Sequence, residues 1–212
     1  AVAGTDLYLG GSFQGIAGTA AVSLARWNGS VWSLATTTPG AGVTPTVGNY
    51  YPGVYALAYS ASGDLYAAGW FQFAGTVDAI GVAKWDGAGW SVLGTGLDGS
   101  YATALGFYGG DLVVGGDYIP TAGGVTVNGI ARWNGTSFVA LGSGLMPYAG
   151  VQALAEYNGE LYVGGSFSIA GGGSVSNIAR WNGTTWSAVG TGTNGPVYAL
   201  AVVGSDLYAG GD

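Results

Sequence analysis

One short phrase recurs five times along this chain, and it dictates most of what the chain can fold into. The segments DLYLGGSF (6–13), DLYAAGWF (64–71), DLVVGGDY (111–118), ELYVGGSF (160–167) and DLYAGGD (206–212) align without effort. Their leucines, at 7, 65, 112, 161 and 207, stand 58, 47, 49 and 46 residues apart. A period of this size marks solenoids, propellers and similar arrays, in which each unit buries its apolar face against its neighbour. The longer first interval carries an insert, ATTTPGAGVTPTVGNYYPG at 35–53. The repeat units fall at about 1–53, 54–101, 102–150 and 151–196, here repeats I to IV, with a partial fifth over 197–212.

Repeat IV reads as four strands. VQALAEY (151–157) turns through Asn158-Gly159 into ELYVGGSF, and a loop, SIAGGGSVS, leads to NIARW (177–181). That strand turns through Asn182-Gly183 into TTWSAVG (184–190). Asn-Gly between alternating apolar residues signals a type I′ hairpin, whose two central residues both need positive φ. Two hairpins make a four-stranded antiparallel sheet, and such sheets at this period are propeller blades. No segment sustains helical periodicity. The expected fold is therefore all-β: a β-propeller of four-stranded antiparallel blades, four near-complete, plus an extra terminal hairpin.

Residues 1–12 (AVAGTDLYLGGS) and 201–212 (AVVGSDLYAGGD) occupy the same place in the repeat. Three arrangements are compatible with this duplication. The strand around 197–203 closes a four-bladed ring, or the chain is a slice of a larger propeller, or the spare hairpin pairs with another protomer. Starting inside a repeat, the chain reads as a processed or excised segment.

The four cationic side chains, Arg26, Lys84, Arg132 and Arg180, all sit in one recurring hexapeptide: LARWNG, VAKWDG and IARWNG twice. With the second and third strands of a repeat as neighbours, each cation falls near the acid that opens the second strand (Asp6, Asp64, Asp111 or Glu160). Such a cross-strand pair fixes register and contributes about 0.2–1 kcal/mol. The cations read as scaffold. The aromatic pairs Trp27/Trp32, Trp85/Trp90, Trp133/Phe138 and Trp181/Trp186 across the second hairpins read as packing between sheets.

Composition narrows the chemistry. Net charge is −7, which makes nucleic acid a poor partner because its affinity rests on Lys and Arg. No apolar run reaches the roughly 18 residues of a spanning helix, so no membrane insertion is expected. Cysteine and histidine are both absent, which removes thiolate chemistry, zinc-thiolate sites and the commonest general base. Charged residues are only 7%, yet aromatics reach 13%, so the chain has the apolar material for a core and is not of the disordered class.

The glycine pairs 10–11, 115–116 and 164–165 precede no GK[ST] and open no helix, so they are not a phosphate cradle. They read as a bulge or a close backbone approach. Asn28, Asn134 and Asn182 each open an N-glycosylation sequon at the same turn. The Thr- and Pro-rich insert has a composition compatible with O-glycosylation. Tyr50, Tyr51, Tyr101 and Tyr148 lie in loops that join one repeat to the next. There they are candidates for stacking on sugar faces. Carboxylates outside the repeated position are Asp78, Asp86, Asp98, Asp117, Glu156 and Asp212. No spacing among them marks a catalytic pair, so neither catalytic nor metal-binding residues, nor any cofactor, are expected.

A strand LYxGG, a loop, and a hairpin ending W-x-G-x-x-W together resemble the kelch-type propeller repeat. Closer still, LYVGGSF…AGG…IARWNGTTWS is similar to repeats of secreted bacterial surface proteins and to the propeller of fungal cortical polarity-marker proteins. The resemblance covers all four repeats. It implies an extracellular or cell-surface location and a non-catalytic structural or adhesion role. It also implies self-association or other surface proteins as partners, with a surface layer or fibre built through the terminal hairpin. One kelch-type relative, galactose oxidase, is a copper enzyme needing histidines and a cysteine-linked tyrosine, and that activity does not carry over. The alternative is a carbohydrate-binding, lectin-like propeller with glycans as ligands.

Overall fold

The computed structural model describes residues 1–35, 43–44, 53–98, 101–146 and 148–212. Among them every regular element is a strand, and each pairing is antiparallel. The chain forms two compact bodies, Ala1–Gly96 and Leu97–Asp212.

In the N-terminal body, repeat I is a four-stranded meander of Val2–Ala3, Asp6–Gly10, Leu24–Trp27 and Trp32–Leu34. Repeat II repeats that order with Gly53–Tyr59, Leu65–Trp70, Val82–Trp85 and Trp90–Val92. Leu24, Leu65 and Trp85 form one buried cluster, and Val43, Val54, Phe71 and Ala83 belong to another.

In the C-terminal body, repeat III comprises Tyr101–Tyr108, Asp111–Asp117, Ile130–Trp133 and Phe138–Ala140. Repeat IV comprises Gly150–Tyr157, Glu160–Ser166, Ile178–Trp181 and Trp186–Ala188. A single pairing, Asp117 with Gly150, joins the two into an eight-stranded sheet. The hairpin Val197–Val203 with Asp206–Gly211 follows. The second strands of repeats III and IV are buried over LVVGG and LYVGG, which fits their unbroken apolar runs: a strand covered on both faces does not alternate.

The diglycines have two distinct jobs. The second glycine faces a β-bulge in the first strand of its own repeat. A Cβ on Gly69, Gly116 or Gly165 would lie 2.0, 2.0 or 1.9 Å from a carbonyl oxygen of that strand, and one on Gly211 1.9 Å from that of Pro196, just before it. Backbone cannot yield there, so only glycine fits. The first glycine instead receives a valine from the following repeat: a Cβ on Gly10, Gly115 or Gly164 would lie 2.5, 2.4 or 2.6 Å from Cγ1 of Val54, Val151 or Val197.

The turns divide in the same way. Asn158 and Gly159 have φ of 51° and 76° between the paired Tyr157 and Glu160, the expected type I′ geometry. The second hairpins differ from expectation. Four residues, 182–185, separate the paired Trp181 and Trp186, and only Gly183 has positive φ. The reason is a side chain: Asn182 Oδ1 accepts from the N–H groups of Thr184 (3.0 Å) and Thr185 (2.9 Å). An Asn or Asp that closes such a turn on its own backbone removes the need for the tighter one.

A second departure lies in the stretch between the second and third strands, read from sequence as plain loop. It holds a short hairpin in every repeat: Gly15–Ile16 with Thr19–Ala20, Phe73–Ala74 with Val77–Asp78, Thr121–Ala122 with Val125–Thr126, and Ile169–Ala170 with Gly173–Ser174. Two-residue strands are too short to show periodicity in sequence. They serve as docking edges. Val43–Thr44 pairs with Phe73–Ala74, Leu97–Asp98 with Thr121–Ala122, and Leu145 bridges to Ala170. The chain leaving one repeat is thereby stitched to the next within each body.

Candidate functional site

The four cations are consumed by the scaffold. Arg26–Asp6, Lys84–Asp64, Arg132–Asp111 and Arg180–Glu160 are separated by 2.6, 3.4, 3.1 and 2.9 Å. Each cation stands opposite the residue two beyond its acid, for example Arg180 opposite Tyr162, so the pair is a diagonal across two strands. The Tyr162 hydroxyl and Glu160 both favour the charged form of Arg180 and raise its pKa. Arg132 Nε meets Asp111 as an ion pair without the alignment of a hydrogen bond.

The aromatic pairs are likewise internal. Trp27–Trp32, Trp85–Trp90, Trp133–Phe138 and Trp181–Trp186 have ring centroids 5.3, 5.5, 4.9 and 5.3 Å apart. Tilted and edge contacts at this range contribute about 0.5–1.5 kcal/mol beyond burial. Trp186 Nε1 also donates to Leu141 O at 2.7 Å, reaching from repeat IV to repeat III.

Asn28, Asn134 and Asn182 are exposed, and each uses Oδ1 to close its turn. Asp86 does the same in repeat II with the N–H groups of Ala88 and Gly89, which hold its pKa below the ordinary carboxylate value. Turn closure thus accounts for an Asn or Asp at this position.

Most of the other candidate acids also have local work. Asp98 accepts from Thr121 Oγ1 (2.5 Å), Glu156 from Gly109 N–H (3.0 Å) and Asp212 from the Tyr198 hydroxyl (3.0 Å). That hydrogen bond, and then the Asp212 charge, raise the Tyr198 pKa. Among the described residues there is no group of three or more potential metal ligands.

Repeat III breaks the pattern. Gly11 to Leu24, Gly69 to Val82 and Gly165 to Ile178 are each thirteen positions, but Gly116 to Ile130 is fourteen. The extra residue is Tyr118. The next residue, Ile119, takes the buried place that Phe71 and Phe167 hold elsewhere, each with its carbonyl accepting from the same point of its loop. Tyr118 is left outside, with φ of 57° and 45% exposure. A left-handed conformation on a bulky residue costs about 1–3 kcal/mol, and such strain collects at functional positions.

Tyr118 is not alone. Its ring stacks on Tyr148 with centroids 5.1 Å apart and planes 10° from parallel. Tyr148 is 73% exposed and is held between the buried anchors Leu145 and Ala149, the latter donating to Met146 O at 3.0 Å. Beside the stack, Asp117 stands where repeats I and IV have Ser12 and Ser166. It is opposite Tyr101 on one side and Gly150 on the other. Its Oδ1 sits over the bare Cα of Gly150, where a Cβ would be 2.7 Å away. Its carboxylate accepts no hydrogen bond among the described residues, and partial burial raises its pKa. Thr103, placed on the bulge as Tyr198 is, cannot serve Asp117, because its hydroxyl donates to Val151 O at 2.5 Å.

The sequence-predicted tyrosines therefore fare differently. Tyr101, expected in a loop, instead opens the first strand of repeat III and stands opposite Asp117, while Tyr148 stacks on Tyr118. Tyr50 and Tyr51 lie outside the described residues. Sequence reasoning missed Tyr118, although the fourteenth position between Gly116 and Ile130 was the signal.

No protein-family model matches this chain, and no curated protein matches it either.

Proposed function

We propose that the chain is a non-catalytic extracellular structural or adhesion module of the kelch-like β-propeller kind, its repeats being blades of four strands. The observation that carries this reading is how the repeated polar and aromatic residues are used. All four cations are spent on ion pairs inside their own repeats, and all four second hairpins carry an aromatic pair. A chain that repeats its scaffold residues and no chemistry is built to present a surface. The Gly–Val seats between consecutive repeats support a ring of blades.

Assembly into a surface layer or fibre uses the hairpin at 197–211. Tyr208 is 56% exposed where its counterpart Tyr162 is 8% exposed, and Val203 and Tyr198 are exposed beside it. An open strand edge with apolar side chains invites another strand. Native mass measurement tests this part of the reading. Large particles that dissociate on Val203→Lys or Tyr208→Lys support it, and discrete monomers at micromolar concentration sink it. Intact mass measured on protein from its own source tests Asn28, Asn134 and Asn182, since increments in hexose steps mark modification.

A second reading is favoured by one observation, the Tyr118–Tyr148 stack beside Asp117. It makes the module a carbohydrate-binding one, with an aromatic platform on repeat III. Binding of glycans by the purified chain is the measurement that separates the two.

A further inference from the structure

We infer that Asp117, Tyr118 and Tyr148 form one subsite for a neutral pyranose, an inference that rests on the carbohydrate reading above and gives it residues and a ligand class. A pyranose presents two chemistries at once, a flat C–H face and a rim of hydroxyl donors. The stacked rings offer the first an aromatic face, since Tyr148 and Tyr118 lie with planes 10° from parallel and both remain exposed, at 73% and 45%. Asp117 offers the second an acceptor that nothing else in the described residues uses.

Charge selects among sugars. The four cations are already paired with carboxylates, so none is left to receive a sulfate, uronate or sialic acid carboxylate. Asp117 itself repels an anion at this spot. The site takes neutral sugars.

Repetition argues that the site occurs once. The other repeats carry Ser12, Trp70 and Ser166 in place of Asp117, and none has the inserted residue. The one counterpart acid, Asp212, is occupied by Tyr198. The other three repeats reach the same fold without the inserted residue, so the fold itself does not require an exposed tyrosine in the left-handed region here.

Calorimetric titration and saturation-transfer NMR on the whole chain test this, using methyl glycosides and neutral oligosaccharides of glucose, galactose, mannose and N-acetylglucosamine, with a sialylated oligosaccharide as the acidic probe. The variants are deletion of Tyr118, which returns repeat III to thirteen positions, Tyr148→Ala and Asp117→Asn. The expected result is saturable binding of a neutral saccharide. Deletion of Tyr118 and Tyr148→Ala each weaken it about tenfold or more, and Asp117→Asn about threefold or more, while the melting temperature of the deletion variant does not fall. Undiminished binding by Tyr148→Ala overturns the subsite and leaves the carbohydrate reading standing, with the ligand elsewhere. Failure of the unaltered chain to bind any neutral saccharide at millimolar concentration overturns both. Preference for the sialylated probe, or a deletion variant that melts well below the parent, overturns the inference by removing either its ligand class or the functional meaning of the insertion.

Discussion

Repeats III and IV lie in one body, pair their strands in the same register and carry the same ion pair and the same aromatic pair, yet they part company just past the diglycine. Repeat IV continues Ser166-Phe167, with the ring buried. Repeat III continues Asp117-Tyr118-Ile119, burying the isoleucine and leaving a ring outside and a carboxylate with no hydrogen bond among the described residues. Where the two agree, each residue has a partner within the scaffold. Where they differ, the new groups face solvent. In a repeat protein the scaffold is what recurs, so a departure confined to one repeat is where a site specific to this chain is to be sought.

The strongest test of the shared part is the second glycine. Gly116→Ala and Gly165→Ala each drive a Cβ to about 2 Å from a carbonyl oxygen, of Tyr101 and Gly150 respectively. Neither the bulged strand nor the glycine strand can move without breaking its ladder. Each substitution is expected to cost about 3 kcal/mol or more, equally in the two repeats, read as a shift in urea midpoint. A large inequality would break the claim that the two scaffolds are one design.

The first glycine gives a smaller, reversible effect. Gly115→Ala meets Val151 Cγ1, and Gly164→Ala meets Val197 Cγ1, side-chain contacts that yield part of the way. About 1–3 kcal/mol is expected for each. Val151→Ala in the first background and Val197→Ala in the second return the space, so a double-mutant cycle shows favourable coupling in both. Additive losses would mean that the glycine and valine do not share one volume.

Much of this was legible in the sequence. The strands, the first-hairpin turn at Asn158-Gly159 and the ion pairs follow from period, alternation and turn chemistry, which are local signals. The bulge opposite Gly165 was readable as a glycine that strand propensity disfavours. The short hairpin at Ile169–Ala170 was not, because two residues carry no periodicity and its partner, Leu145, lies far along the chain. The second-hairpin turn at Asn182 was misread for a different reason: a side chain took over backbone hydrogen bonds that the tighter turn would have met. Of the site, Tyr148 was visible as a loop aromatic, whereas Tyr101, read the same way, opens a strand. Tyr118 was hidden by its place in the apparent motif DLVVGGDY, where it occupies the column of a buried phenylalanine until the fourteenth position is counted.

A smaller effect separates the repeated charges from the unique one. Removing the half-buried pair Arg132–Asp111 by Arg132→Met is expected to cost about 1 kcal/mol, and less at high salt. A loss of several kcal/mol would show that the pair holds the register on its own.

The smallest effect has the opposite sign and belongs to Asp117. Burial raises its folded-state pKa above the unfolded value, so the folded protein binds its proton more readily than the unfolded chain does. Stability therefore falls as pH rises from the unfolded pKa through the folded one, and above that window the charged carboxylate is a fixed cost. Asp117→Asn removes the charge, so the variant is expected to be slightly more stable than the parent at neutral pH. The difference should vanish below the ordinary carboxylate range, where Asp117 is protonated in both states. Asp86 behaves in reverse: the Ala88 and Gly89 N–H groups lower its pKa, and the stability it contributes is lost as pH falls through the lowered value. Paired urea titrations of Asp117→Asn and the parent between acid and neutral pH resolve the sign. A variant less stable at neutral pH would mean that Asp117 has a stabilising partner, and repeat III would then be a scaffold variant of repeat IV with no acceptor left for a ligand.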